Sequence, residues 1–201
     1  MDKPPKILVI NGSYRDDGIT DQTTDIAIQF LTEAGASVET VLLREYPIQF
    51  CLNCRDCTQA PGDNPGQCVQ QDGMQKLVDK IEQSDAYILA APTNFGSITA
   101  VFKRFMERLI VYAYWPWDKN YPQFRKAGSP RKKALLISSS AAPGIFGRWL
   151  YGSSKQLKIV AETIGAKPVG TLFTGMINRE PDQRLPERTQ NRVRALVLKL
   201  I

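Results

Sequence analysis

One loop of this chain carries residue types that can bind a phosphate. Residues 11–21 join an apolar run to a helical pattern, a geometry in which the unsatisfied N–H groups of a helix start point toward a ligand. Ser13 and Thr20 can add hydroxyl donors, and Arg15 can add a charged fork. The spacing is neither GxxxxGK[ST] nor GxGxxG, so it favours one phosphate monoester. The alternative is a tight turn at Gly12 and Ser13 that Thr20 caps.

The second reactive stretch holds all four cysteines, at Cys51, Cys54, Cys57 and Cys68, with the spacing C-x2-C-x2-C-x10-C. Thiolates separated by two intervening residues can converge on one metal or cluster from a tight turn. Buried core thiols would not cluster in this way. Spacing alone leaves three interpretations open: an iron–sulfur cluster, free redox-active or vestigial thiols, and zinc.

Composition excludes several classes of function. The 201 residues include no histidine, which rules out Ser-His-Asp and Cys-His catalysis. The net charge of +6 is concentrated in the last third of the chain, without an aromatic-interleaved patch, so we expect no nucleic-acid partner. Attraction of phosphorylated small molecules, or a solvated helix face, explains the charge. No apolar run approaches the length of a membrane span, and no signal-peptide pattern is found, so we expect a cytoplasmic protein.

Strands alternate with helices along the chain. The predicted strands are 6–11, 37–43, 86–91, 133–139 and 167–173, and the predicted helices are 20–34, 72–83, 98–111, 153–164 and 182–201. This order predicts one α/β domain over 1–201, a doubly wound parallel sheet between two helical layers, with a cysteine-rich insertion at 47–71. Loops 12–20, 92–97 and 138–144 are rich in Gly, Ser, Thr and Pro and follow strands one, three and four. Ligands bind at this edge of such sheets, so we expect a site there.

These loops resemble those of a known family. Gly12-Ser13-Tyr14-Arg15-x-x-Gly18-x-Thr20 resembles the phosphate loop of the NADPH-dependent FMN reductases, which are flavodoxin-like. Residues 91–100 resemble that family's second loop, which lies along the isoalloxazine ring. The cysteine spacing, followed by Asp72-Gly73-Met74, resembles the iron–sulfur flavoprotein subgroup. The resemblance extends from residue 6 to about residue 175.

The resemblance implies a flavodoxin-like three-layer sandwich with strand order 2-1-3-4-5 and a set of FMN-binding residues. The phosphate would be bound by Ser13, Arg15 and Thr20, beside Ile19. The ring would contact Pro92, Thr93, Asn94, Phe95 and Gly96, with Ser139, Ser140, Ala141 and Gly144 on its third side. Two positions depart from the family: Ile19 replaces a common Asn, and Asn94 replaces a frequent aromatic residue, so stacking falls to Phe95 or a partner chain.

The resemblance also implies an activity. We expect electron transfer from NAD(P)H through FMN to a small acceptor such as a flavin or quinone, with no protein group named as catalytic. In the subgroup, the four cysteines carry a [4Fe–4S] cluster, although the ten-residue gap before Cys68 is longer than the usual spacing. An FMN and iron–sulfur electron-transfer protein served by a protein donor is the alternative, and a fold that has lost its cofactor is a third. Family members form homodimers or homotetramers, and the aromatic residues 112–117 would then shield the flavin or form an interface.

Overall fold

A computed structural model describes residues 3–129, 131–143, 150–176, 180 and 182–201. The strands are β1 Lys6–Asn11, β2 Ser37–Leu42, β3 Ala86–Asn94, β4 Ser97–Ile98, β5 Ala113–Tyr114, β6 Gln123–Phe124, β7 Lys132–Ser139 and β8 Ala166–Thr174. The parallel strands lie in the order β2-β1-β3-β7-β8. Counting only these five, the order is 2-1-3-4-5, which confirms the predicted flavodoxin-like sheet.

Helices cover both faces of the sheet. They are α1 Ile19–Glu33, α2 Met74–Gln83, α3 Ala100–Arg108, α4 Ser153–Thr163 and α5 Glu187–Val197. Successive side chains of a strand point to opposite faces, so β1 contributes to two cores. Ile7 and Val9 pack with residues of α1 and α5, whereas Leu8 and Ile10 pack with residues of α2, α3 and α4. This arrangement places the starts of α1 and α3 at the carboxyl ends of β1 and β3.

Several boundaries differ from the sequence prediction, and three of them show why. β3 extends to Asn94, because a turn at Phe95 and Gly96 reverses the chain and lets the end of β3 pair with β4. α3 ends at Arg108, and a short 3-10 helix, Leu109–Tyr112, follows it. The last helix begins at Glu187 instead of residue 182, directly after Pro186, whose missing N–H and fixed φ suit a helix start.

The stretch between α3 and β7 contains structure that the hydrophobic pattern does not reveal. β5 and β6 form a two-stranded antiparallel ribbon, in which Ala113 pairs with Phe124 and Tyr114 with Gln123. Two-residue strands are too short to show a period of two in sequence. Among the residues described, none of the helices has the length and apolar character needed to cross a membrane.

Candidate functional site

Three loops meet in a cavity of about 200 Å³ at the carboxyl edge of the sheet. It is lined by Ser13, Tyr14, Arg15, Gly18, Ile19, Thr20, Pro92, Asn94, Thr99 and Ser139. Seven of these residues belong to the FMN-binding set predicted from sequence: Ser13, Arg15, Ile19, Thr20, Pro92, Asn94 and Ser139. Thr93, Phe95, Gly96, Ser140 and Ala141 are outside the lining, and Gly144 lies outside the described residues. We call this space the phosphate-loop cavity.

Polar side chains behind the loop hold it in shape. The amide of Asn11 donates to Oδ1 of Asp21 at 2.8 Å, and the Asn11 side-chain oxygen accepts from the Ser13 N–H at 2.8 Å. Arg44 donates to the Ser13 carbonyl at 3.1 Å and to Oδ2 of Asp21 at 3.2 Å. The hydroxyl of Ser13 donates to the Arg15 carbonyl at 3.1 Å. The loop is therefore preorganised by its own contacts.

The start of α1 opens toward this cavity. Gly18 is the N-cap and makes no side-chain capping bond, so Thr20 does not cap the helix as the alternative interpretation required. The Thr20 hydroxyl instead lies 2.9 Å from the Ser139 hydroxyl and joins α1 to the end of β7. Gly18, Ile19 and Thr20 line the cavity, so the helix N-terminus and its partial positive charge would face an anion that binds there.

Gly12 is required by packing and does not line the cavity. A Cβ at this position would lie 2.6 Å from the ring of Phe102, so α3 could not approach β1 as closely. The Gly12 N–H donates to the Ala90 carbonyl at 2.8 Å, and its carbonyl accepts from the Thr99 hydroxyl at 2.7 Å. Thr99 also caps α3. Thr99 is not among the residues predicted from the sequence, although a threonine before a helical pattern is a usual N-cap signal.

The second loop is a hairpin with a strained tip. Phe95 has φ 48° and Gly96 has φ 77°, the left-handed pair that a type I′ turn requires. A bulky residue rarely adopts this conformation, and the Phe95 side chain is fully exposed. Thr93 does not line the cavity, and its hydroxyl lies 2.8 Å from that of Ser153. The hairpin thus presents an aromatic ring to solvent at some conformational cost.

The third loop is attached to the neighbouring strand. The Ser140 N–H donates to the Thr174 carbonyl at 2.9 Å, and the Ser140 hydroxyl donates to the Ala142 carbonyl at 3.3 Å. Ser140 is buried, whereas Ala141 is exposed. In this loop, Ser139 alone among the described predicted residues lines the phosphate-loop cavity.

The four cysteines line a second, largely apolar cavity of about 270 Å³, which we call the cysteine cavity. All four are free thiols. Burial, and then the nearby thiols of Cys68, Cys51 and Cys54, raise the pKa of Cys57 to about 11. Its thiol is therefore protonated at neutral pH in the absence of a bound group. Among the described residues, no three Cys, His, Asp or Glu side chains converge tightly enough to hold a single metal ion.

A buried ion pair borders the cysteine cavity. Arg108, 1% exposed, donates to both carboxylate oxygens of Asp72, at 2.6 and 3.1 Å, and to Sγ of Cys68 at 3.4 Å. Burial alone would raise the pKa of Asp72, but hydrogen bonds from Arg108 and from the N–H groups of Gln49 and Met74 outweigh it and lower that pKa. The Arg108 guanidinium thus lies next to the Cys68 sulfur, while the charge of the Arg108–Asp72 pair sums to zero.

Arg125 and Gly66 hold the insertion in place. The buried Arg125 guanidinium donates to the carbonyls of Cys57, Ala60, Gly62 and Val111 at 2.9 to 3.3 Å. The Gly66 N–H donates to the Val111 carbonyl at 2.7 Å, and a Cβ on Gly66 would lie 1.8 Å from the Cys57 carbonyl oxygen. The ten-residue gap before Cys68 is therefore closed by specific contacts. Sequence offered no signal for Arg125, which lies far from the cysteines along the chain.

The aromatic stretch 112–117 packs beside the cysteine cavity. Tyr112 is buried and donates to Glu82 at 3.0 Å. The Arg55 guanidinium lies 3.8 Å from the ring centroid of Trp115 and 4.3 Å from that of Trp117, as in cation–π contacts. Trp115 lines the cysteine cavity, whereas Trp117 is largely exposed. Part of the stretch therefore stabilises the insertion, and part remains on the surface.

Comparison with known proteins gives a family match over most of the chain. The sequence profile of the family described as NADPH-dependent FMN reductase matches residues 5–174. An NAD(P)H:quinone oxidoreductase from Methanothermobacter marburgensis has a similar structure, with a TM-score of 0.72, 15% identity and coverage of 98% of both chains. At that identity the structural likeness shows the shared fold.

Several of the curated relatives are iron–sulfur flavoproteins, each matched over part of its length. One from Archaeoglobus fulgidus is 35% identical over 111 residues, which are 55% of this chain and 48% of the relative. One from Methanocaldococcus jannaschii is 28% identical over 103 residues, 51% of each protein. The chain thus spans about half the length of these relatives.

Proposed function

The chain belongs to the NADPH-dependent FMN reductase family, and we propose that it is an oxidoreductase that uses FMN to pass electrons from NAD(P)H to a small acceptor. The observation that carries this proposal is the phosphate-loop cavity, where the start of α1 and loops after β1, β3 and β7 face one space. An uncapped helix start among hydroxyl groups suits a phosphate monoester.

We assign the FMN phosphate to the first loop. The backbone N–H groups at the start of α1 and the Thr20 hydroxyl would be its donors, and Arg15 would supply positive charge. The Ser13 hydroxyl, which donates to the Arg15 carbonyl, would turn to the phosphate on binding. Ile19 contributes an apolar wall in place of the polar contact common in the family. Because Asn11, Asp21 and Arg44 already shape the loop, little ordering cost remains on binding.

We assign the flavin ring to the second and third loops. FMN supplies the hydride and electron chemistry when it is bound, so the chain needs no histidine. Pro92 and Asn94 line the cavity, and backbone N–H groups of residues 93–96 would donate to the polar edge of the ring. The exposed Phe95 would stack on the ring or on a partner chain. Ser139, Ser140, Ala141 and Gly144 would bound the third side.

The acceptor would be a small molecule such as a flavin or quinone. We also propose a homodimer or homotetramer, in which the exposed Trp117 becomes covered. The four free thiols are consistent with a reducing, cytoplasmic location.

An FMN and iron–sulfur electron-transfer protein served by a protein donor is the second candidate function. The four cysteines line one cavity next to Arg108, a donor set whose chemistry fits a [4Fe–4S] cluster. Cys51, Cys54, Cys57 and Cys68 would hold such a cluster, and it would supply one-electron transfer.

A visible spectrum before and after anaerobic NADPH tests the first proposal. We expect a flavin spectrum that bleaches, because NADPH reduces the bound FMN. Protein that is colourless and binds no added FMN would overturn it. A Thr20→Val variant should weaken FMN binding, whereas Thr32→Val, at the far end of α1, should leave it unchanged.

Iron and acid-labile sulfide assays after anaerobic preparation test the second candidate. We expect close to four irons per chain if the cluster forms, by the cluster's stoichiometry. Less than about one iron per chain after reconstitution would exclude it. Cys54→Ser should lower the iron content while FMN binding persists, because the two cavities are separate.

A further inference from the structure

A third cavity, of about 590 Å³, lies between the end of β8 and the first turns of α5. Ile19 lines this space as well as the phosphate-loop cavity, so the two lie side by side at the start of α1. We call it the α5 cavity. None of the family-derived site residues except Ile19 belongs to it.

Two arginines give the α5 cavity its charge. Arg188 and Arg192 are four residues apart on α5 and therefore share one face of the helix. Within the described part of the chain, neither guanidinium makes an ion pair or a hydrogen bond. Arg184, by contrast, is paired with Asp17 at 2.9 Å, and Arg194 lies over the Phe30 ring at 4.0 Å. The two lining arginines are thus available to a ligand.

Hydroxyl and amide groups accompany this charge. Thr174, Thr189 and Gln183 line the cavity, and Oγ1 of Thr174 is a buried atom without a hydrogen-bond partner among the described residues. An unsatisfied buried hydroxyl costs free energy that a bound acceptor would recover. The described lining contains no carboxylate. The first turn of α5 adds the positive end of a helix dipole.

We propose that the α5 cavity binds a phosphomonoester dianion. Two free guanidinium groups and a hydroxyl donor match the oxygens of such a group, and a space this size also holds an attached nucleoside. Resting on the proposed function, we assign this ligand to the 2′-phosphate of the donor NADPH. The cavity would then let the protein distinguish NADPH from NADH.

Isothermal titration of FMN-loaded protein tests the proposal with adenosine 2′-phosphate, adenosine and inorganic phosphate as probes. We expect adenosine 2′-phosphate to bind and adenosine not to bind. The double variant Arg188→Ala/Arg192→Ala should weaken binding at least about tenfold, because charge-assisted bonds are lost. The control variant Lys167→Ala/Lys199→Ala also removes two positive charges, from exposed side chains outside the cavity. It should bind adenosine 2′-phosphate with wild-type affinity.

Steady-state kinetics supply the second readout. In the arginine double variant, KM for NADPH should rise at least about tenfold while KM for NADH and the FMN content stay unchanged. Wild-type affinity for adenosine 2′-phosphate in that variant, or an equal loss in the lysine control, would overturn the proposal. If inorganic phosphate alone binds and the arginine variant abolishes it, the phosphate site stands and the donor assignment fails. Protein that retains no FMN would instead refute the proposed function.

Discussion

Gly66→Ala should dismantle the cysteine cavity while leaving the flavin site intact. A Cβ there would lie 1.8 Å from the Cys57 carbonyl oxygen, against about 3.4 Å for an ordinary contact. The shortfall of about 1.6 Å must be met by moving backbone, because the obstructing atom is not the end of a flexible side chain. Either the segment carrying Cys57 or Gly66 itself has to shift.

The energetic cost follows from what that shift breaks. A shift of Gly66 would break its bond to the Val111 carbonyl, at 2.7 Å, and a shift of the Cys57 segment would break the Arg125 bond to the Cys57 carbonyl, at 3.3 Å. Overpacking costs roughly 1–3 kcal/mol and the one lost hydrogen bond about 1 kcal/mol, so we expect about 2–4 kcal/mol less stability for this region.

Urea unfolding and thiol alkylation measure this effect. The buried Cys57 should react with a maleimide faster in the variant than in the wild type, and the urea midpoint should fall. FMN affinity should change little, since Gly66 is not among the residues that line the phosphate-loop cavity. Gly128→Ala is the matched control, because a Cβ there meets no atom within 4 Å. A Gly66→Ala protein with wild-type midpoint and alkylation rate would refute the reasoning.

Three further changes probe the loops and the buried pair. Gly12→Ala places a Cβ 2.6 Å from Phe102, so we expect about 1–3 kcal/mol lower stability and weaker FMN binding in a fluorescence titration. Thr20→Val should weaken FMN binding about tenfold by removing one phosphate donor, and wild-type affinity would contradict that role. Arg108→Met leaves Asp72 buried without its cation and should cost about 3–5 kcal/mol at pH 7 in urea unfolding. Burial by itself raises the pKa of Asp72, whereas Arg108 lowers it, so this difference should be largest at neutral pH and shrink as the pH falls and Asp72 is protonated, first in the variant and then in the wild type.

Controls separate these effects from general damage. Gly35→Asn, at a left-handed position with open space around it, should be tolerated where Gly12→Ala is not. For the buried pair, a stability difference that stays constant from pH 7 to pH 3 would show that Arg108 acts through packing and not through Asp72.

Local sequence predicted much of the fold. β1 occupies residues 6–11 as expected, since an apolar run before a Gly-Ser loop is typical of a central parallel strand. Gly35 follows the end of α1 in the left-handed conformation that is usual for a glycine after a helix. The family and sheet order are confirmed by the profile match and the topology. The predicted boundaries were wrong where a turn, and not the hydrophobic periodicity, determines where an element begins or ends, as for β3 at Asn94 and α5 at Glu187.

By itself, the sequence determined which loops face the ligand edge and that the cysteines gather in one insertion, because both follow from short-range spacing. Only the tertiary structure decided what holds these loops. Arg44 donates to the Ser13 carbonyl, Arg125 donates to the Cys57 carbonyl, and Arg188 and Arg192 line one cavity with the end of β8. Each contact links segments far apart in the chain, and no local period encodes which distant side chain arrives. The arginines that bind these backbone carbonyls, and those that line a cavity without a partner among the described residues, can be identified only from the folded structure, because folding of the sheet brings distant segments together.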